Sequence, residues 1–114
     1  MTAFRFVPAP EFFGDVRITV PGEAESAVLR LKFKHLGREA LAAWIAKPNK
    51  DGVESDAAYL GQVVIGWEGV KDHEDRDVPF GQAAFATMLD AYPTAGREVF
   101  AAYVSALTES RAKN

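Results

Sequence analysis

Cysteine is missing altogether from these 114 residues. With it go disulfides, thiolate zinc sites, iron–sulfur clusters and cysteine nucleophiles, and the absence fits an intracellular address. Histidine is nearly missing. His35 and His73 are the only two, and neither sits in a His-Glu-x-x-His spacing. Neither sign of charge dominates: Lys+Arg 13 against Asp+Glu 16 gives −3. No strong field therefore draws the chain to nucleic acid or to an anionic membrane. No apolar stretch approaches the roughly 18–20 residues that a membrane span needs. Met1–Phe13, broken by Arg5, Pro8 and Pro10, lacks the continuous apolar segment of a targeting signal. A soluble cytoplasmic protein is the expectation.

Signs of catalysis are also scarce. No serine lies in a Gly-x-Ser-x-Gly elbow. Gly61 and Gly66 have the glycine spacing of a phosphate loop, but Trp67-Glu68 stands where Lys-Ser/Thr is required, and Glu68 would repel a phosphate. The run Asp72-His73-Glu74-Asp75-Arg76-Asp77 is the best metal candidate, because carboxylates in a loop can wrap Ca²⁺ or Mg²⁺. It departs from an EF-hand loop at its third alternate position, where Arg76 stands, so it reads as a solvated connection. No catalytic, cofactor or metal residue is assigned.

What is present is a globular composition, 48% hydrophobic and 25% charged. The length suits one domain, residues 1–114, which buries roughly two thirds of its unfolded surface. Residues 1–14 read as an extended arm fixed by Pro8 and Pro10. Its four phenylalanines, Phe4, Phe6, Phe12 and Phe13, suggest that it lies across the core. Residues 15–35 read as an antiparallel β-hairpin. Val16-Arg17-Ile18-Thr19-Val20 alternates, Pro21-Gly22 turns, and Leu29, Leu31 and Phe33 oppose Arg30, Lys32 and Lys34. A lone hairpin is marginal in water, so helices must cover its apolar face.

Residues 37–114 supply them. Gly37 caps a helix with the inward stripe Leu41, Trp44 and Ile45. Ser55 or Asp56 caps a second, reaching about Ile65, with Ala57, Leu60, Gly61, Val64 and Trp67 on one face. Gly61 within it implies a close approach of another helix. Gly81 caps a third, striped by Phe85, Met88, Leu89 and Tyr92. Thr94 caps a fourth, striped by Val99, Phe100, Tyr103, Val104 and Leu107. The expected fold is α+β: an N-terminal antiparallel β-hairpin packed against a bundle of about four α-helices.

The ordered motifs resemble those of the small tail assembly chaperones of long-tailed bacteriophages and prophages. They are Phe4-x-Phe6, Pro8-x-Pro10 and Phe12; Val16-x-Ile18-x-Val20-Pro21-Gly22; Leu31-x-Phe33-Lys34-His35-Leu36; Gly66-Trp67-Glu68-Gly69-Val70-x-Asp72; Val78-Pro79-Phe80; and Leu89-Asp90-Ala91-Tyr92-Pro93. The likeness runs from about Phe4 to Tyr103. It departs where Gly37 and Gly81 replace Ser or Thr caps, and where no glycine stands near Arg76-Asp77. The resemblance implies a non-enzymatic factor that binds the tape measure protein, keeps that long helical chain soluble and helps bring major tail tube subunits to it. It also implies loss from the finished virion and, in some members, a longer frameshifted product. A homo-oligomer, as ring or spiral, is compatible with lining a long client.

An amphipathic helical client calls for apolar anchors with charged rims and no catalytic group. Candidate anchors are Trp67, Phe80, Tyr92 and Tyr103, expected as exposed aromatics. Arg30, Lys32 and Lys34 form a candidate basic stripe, with Arg17 beside it. Within residues 26 to 38 every charged side chain is basic, which suits an acidic partner. Nucleic acid is disfavoured, since aromatic platforms do not alternate with these charges and the molecule is acidic overall. The rival readings are a small cytoplasmic protein-binding adaptor unrelated to phage, and a carboxylate-dependent metal enzyme using Asp72, Glu74 or Asp75.

Overall fold

The structure, a computed structural model, describes residues 3–47 and 56–109. The expected loop at 48–52, the Ser55 cap and the fraying end 110–114 lie outside them. Alternating apolar and charged residues form β1, Glu11–Ile18, and β2, Ala27–Lys34, which pair antiparallel in unbroken register from Glu11↔Lys34 to Ile18↔Ala27. The turn is built as its sequence requires. Gly22 takes φ +85°, which an L-residue adopts only with strain, and the Glu23 N–H donates to the Val20 carbonyl at 3.0 Å.

A third strand, β3, spans Val64–Glu68 and pairs antiparallel with β2, so the sheet order is β1-β2-β3. This corrects the helix expected to reach Ile65. The helix there, α2, is only Asp56–Leu60. The spacing of Ala57, Leu60, Gly61, Val64 and Trp67 imitates a helical face. The β-branched run Val63-Val64-Ile65 and the empty edge of β2 prevail instead, because chain extended there completes a ladder. Ile65 is the extra residue of a bulge between the pairs Lys32↔Gly66 and Phe33↔Val64. Gly61 follows α2 rather than sitting within it. A Cβ there would strike the Ala57 carbonyl and the Gln82 side chain, so the expected close approach is real.

Gly37 and Gly81 cap α1, Arg38–Ala46, and α3, Gln82–Ala91; the Leu41 and Phe85 N–H groups donate to their carbonyls. Pro93 separates α3 from α4, Ala95–Thr108, whose cap position is Thr94. The helices cover the apolar face of the sheet. Val16, Ile18, Leu31, Phe33 and Val64 from the strands meet Leu41, Trp44, Leu60, Phe85, Val99 and Tyr103. The α+β class and the β1–β2 hairpin follow the sequence pattern.

The arm does not lie across this core. Phe4 is 96% exposed and Phe6 95%. Phe12 takes the place instead, against Phe33 at 5.6 Å and Tyr103 at 6.4 Å between ring centroids. The strand also starts earlier than expected, at Glu11. On α1, Leu41 and Trp44 are buried, but Ile45 faces outward.

Tyr103 is wholly buried, and its hydroxyl donates to the Lys34 carbonyl at 2.7 Å. Burial pushes this phenol up to about 12 from 10.0. The folded state therefore holds the proton longer than the unfolded chain. The stabilisation is complete below pH 10 and is lost between about pH 10 and 12, by roughly 2–3 kcal/mol. Urea unfolding from pH 8 to 12.5 should show this decline. Tyr103→Phe should cost about 1 kcal/mol at pH 8 and flatten the alkaline slope.

Candidate partner-binding surface

The candidate residues fall on two faces. Trp67 lies on the inner face of β3, half-buried, and its indole N–H donates to the Val78 carbonyl at 2.7 Å. Phe80 meets it edge-on at 5.1 Å and touches Phe85 at 6.0 Å. Sheet pairing (Leu31↔Trp67) and the return of the chain before α3 thus bring Trp67 and Phe80 together. The connection between them is an ordered ribbon. Val78 N–H donates to the Val70 carbonyl, Lys71 bridges Asp77, and the turn uses positive φ at Gly69 and Asp75.

Tyr92, at the end of α3, lines a neighbouring apolar groove of about 200 Å³ with Ile18, Val20, Leu29, Val70 and Met88; Lys71 stands in the same wall. The groove lies where the hairpin turn, the chain leaving β3 and the last turn of α3 converge. Its other residues escaped the sequence reading, because no local pattern tells that residues from three separate segments will share one cleft. Met88 is its adaptable element, since an unbranched thioether reshapes readily around a guest.

Tyr103 does not belong to this surface. It packs in the core, tilted against Phe33 at 5.0 Å and edge-on to Trp44 at 5.3 Å between ring centroids, so the expectation of an exposed anchor is corrected. Its place on the α4 stripe already marked a core position.

Arg30, Lys32 and Lys34 do project from the outer face of the sheet, away from the helices. They do not form a bare positive stripe. Arg30 bridges Asp15 at 3.3 Å and Glu68 at 3.1 Å, and Lys32 bridges Glu11 at 3.0 Å. Acidic residues on the flanking strands partly neutralise what looked unopposed along β2. Between them lies Phe13, with the Arg30 guanidinium 4.6 Å and the Lys32 ammonium 5.8 Å from its ring centroid. Phe13 shares the parity of Asp15 and Arg17, which was the available clue. An aromatic therefore does stand among these charges, across the strands rather than along one. Lys34 forms no ion pair among the described residues.

Asp72 is committed to its own turn. It accepts from the N–H groups of Glu74 at 2.8 Å and Arg76 at 3.0 Å, and from the Arg76 guanidinium. The Arg76 backbone bond, opposed by some desolvation, holds its carboxyl below the usual range. Glu74 pairs with Arg76 as well. Among the described residues no three His, Asp or Glu side chains converge as metal ligands. Nor is any described helix long and apolar enough to cross a membrane.

No curated protein and no solved structure matches the chain. A family model described as phage tail assembly chaperone matches residues 1–114, the whole length, and the chain belongs to that family.

Proposed function

We propose that this chain acts without catalysis, as one cytoplasmic tail-assembly-chaperone domain, residues 1–114. It binds and solubilises the tape measure protein, helps recruit major tail tube subunits and is absent from the mature virion. The observation that carries this reading is the apolar groove at Tyr92 and Met88, in a chain of the chaperone family. Such a cleft suits the apolar stripe of an amphipathic helix, and Lys71 offers a charged rim. Trp67 and Phe80 brace the neighbouring wall and supply aromatic surface. Arg30, Lys32, Lys34 and Phe13 form a second, separate contact on the outer face of the sheet, suited to acidic residues of a tail protein.

Copurification with tagged tape measure protein tests the division of labour. Trp67→Ala/Phe80→Ala, checked for folding by circular dichroism, is expected to lose most of the captured client. Lys34→Glu is expected to lower capture severalfold, and more so at low salt. Undiminished capture by both folded variants would contradict the assignment of these residues.

A further inference from the structure

The two edges of the sheet are treated differently. The β3 edge is short and bent by the bulge at Ile65, which blunts it against further pairing. The β1 edge runs regularly through eight residues. Its hydrogen-bond parity can be read at both ends. The His35 N–H donates to the Pro10 carbonyl at 2.9 Å, so Pro10 and the even-numbered residues of β1 direct their backbone groups at β2. The odd-numbered residues Glu11, Phe13, Asp15 and Arg17 direct theirs outward. Thr19 obeys the same rule, and its outward N–H is taken by the Glu98 carboxylate at 3.1 Å. The open ladder is thus closed by Glu98 at its Thr19 end.

Among the described residues nothing fills the space beside the open part. Clefts of about 320 and 460 Å³ lie along it, floored by Ala101, Ala102 and Ala106, small residues that keep α4 thin there.

We propose that β1 is the interface for a second copy of this chain, joined edge to edge and antiparallel about a two-fold axis at Gly14. This surface is distinct from the client groove. Charge selects both occupant and register. With Gly14 opposite Gly14 of the second copy, Glu11 faces the second copy's Arg17, Phe13 faces Asp15, and all four outward-pointing residues fall into hydrogen-bonded pairs. A shift of the axis to Phe13 sets Glu11 against Asp15, and a shift to Asp15 sets Asp15 against itself, both like-charge pairs. Arg17 forms no ion pair among the described residues, so its guanidinium is available. The product is one continuous six-stranded sheet.

Light scattering on the full chain, together with residue-resolved amide exchange, tests this. The wild type is expected to be a dimer with slow exchange at Phe13, Asp15 and Arg17. Arg17→Glu sets two acids opposite each other twice per dimer and is expected to weaken association about tenfold or more, with fast exchange at those amides. Asp15→Pro deletes an N–H that the β1–β2 ladder does not use and is expected to yield a folded monomer. If Arg17→Glu fails to fold, the wild-type exchange pattern and Asp15→Pro decide. A wild-type monomer at millimolar concentration overturns the proposal, as does a dimer unaffected by both variants. Edge amides protected only when tail protein is added would also overturn it, assigning the edge to a client strand instead.

Discussion

Replacing Trp44 by alanine is expected to lower the stability of the fold by about 3–5 kcal/mol, and urea titration followed by far-UV circular dichroism measures it. The size follows from what one indole holds together. Trp44 stacks on Tyr59 at 4.5 Å and on Phe100 at 5.5 Å, and meets Tyr103 edge-on at 5.3 Å. The Tyr59 hydroxyl also donates to the Trp44 carbonyl at 2.6 Å, tying α1 to α2. Only Leu41 and Trp44 of α1 are buried, so truncation removes the larger of its two attachments. The collar of rings around the vacated space cannot close without losing its stacking. Against a total of about 5–15 kcal/mol for a domain of this kind, the loss is a large fraction, and a thermal midpoint roughly 15–25 °C lower follows. Ile45→Ala, one residue on and facing outward, is the control, expected to cost less than about 1 kcal/mol. Equal effects of the two substitutions would contradict the description of α1.

The second large effect concerns the groove. Met88→Lys and Tyr92→Ala are each expected to weaken client binding at least about tenfold, and together to leave it undetectable at micromolar concentration. Each removes apolar surface that a client side chain would cover, at about 25 cal/mol per Å². Lysine retains helix propensity at position 88 and can lift its ammonium into water, so folding should survive, as urea midpoints will report. Isothermal titration of each folded variant against a tape measure segment distinguishes lost binding from lost structure. Wild-type affinity in the double variant would remove the groove from the account.

Glu98 gives a smaller, pH-dependent signature. Burial raises its carboxyl, but the hydrogen bonds from the Thr19 side chain and backbone outweigh this and hold it below the ordinary value. The contribution is present above the unfolded value and disappears as pH falls through the folded one. Glu98→Gln should therefore reduce the acid-side slope of stability between about pH 5 and 3.

The hairpin, three of the helices and the glycine caps of two of them were legible because each carries its signal locally. Val16 and Ile18 alternate with Arg17; Leu31 and Phe33 alternate with Lys32; Gly37 and Gly81 precede clear apolar stripes. β3 was hidden because Val64 and Trp67 stand three apart, a helical spacing, and share the inner face of the strand only through the bulge at Ile65. Only the unpaired edge of β2, a partner more than thirty positions away, decides between helix and strand. Burial was misjudged wherever residue type was allowed to stand for position. Phe4 and Phe6 are apolar yet exposed, while Tyr103, taken for an anchor, is sealed in the core. The neutralisation of Arg30 and Lys32 was invisible along β2, since Asp15, Glu11 and Glu68 arrive from other strands. The family resemblance lay in ordered motifs spread along the chain, whereas the groove is assembled by tertiary contact alone.

Coexpression with the tape measure protein is the most direct test of a client-holding role. With the wild-type chain, the long helical client should appear in the soluble fraction bound to it, and without it the client should sediment. A client that remains insoluble beside abundant folded chaperone, or is equally soluble in its absence, would contradict the account.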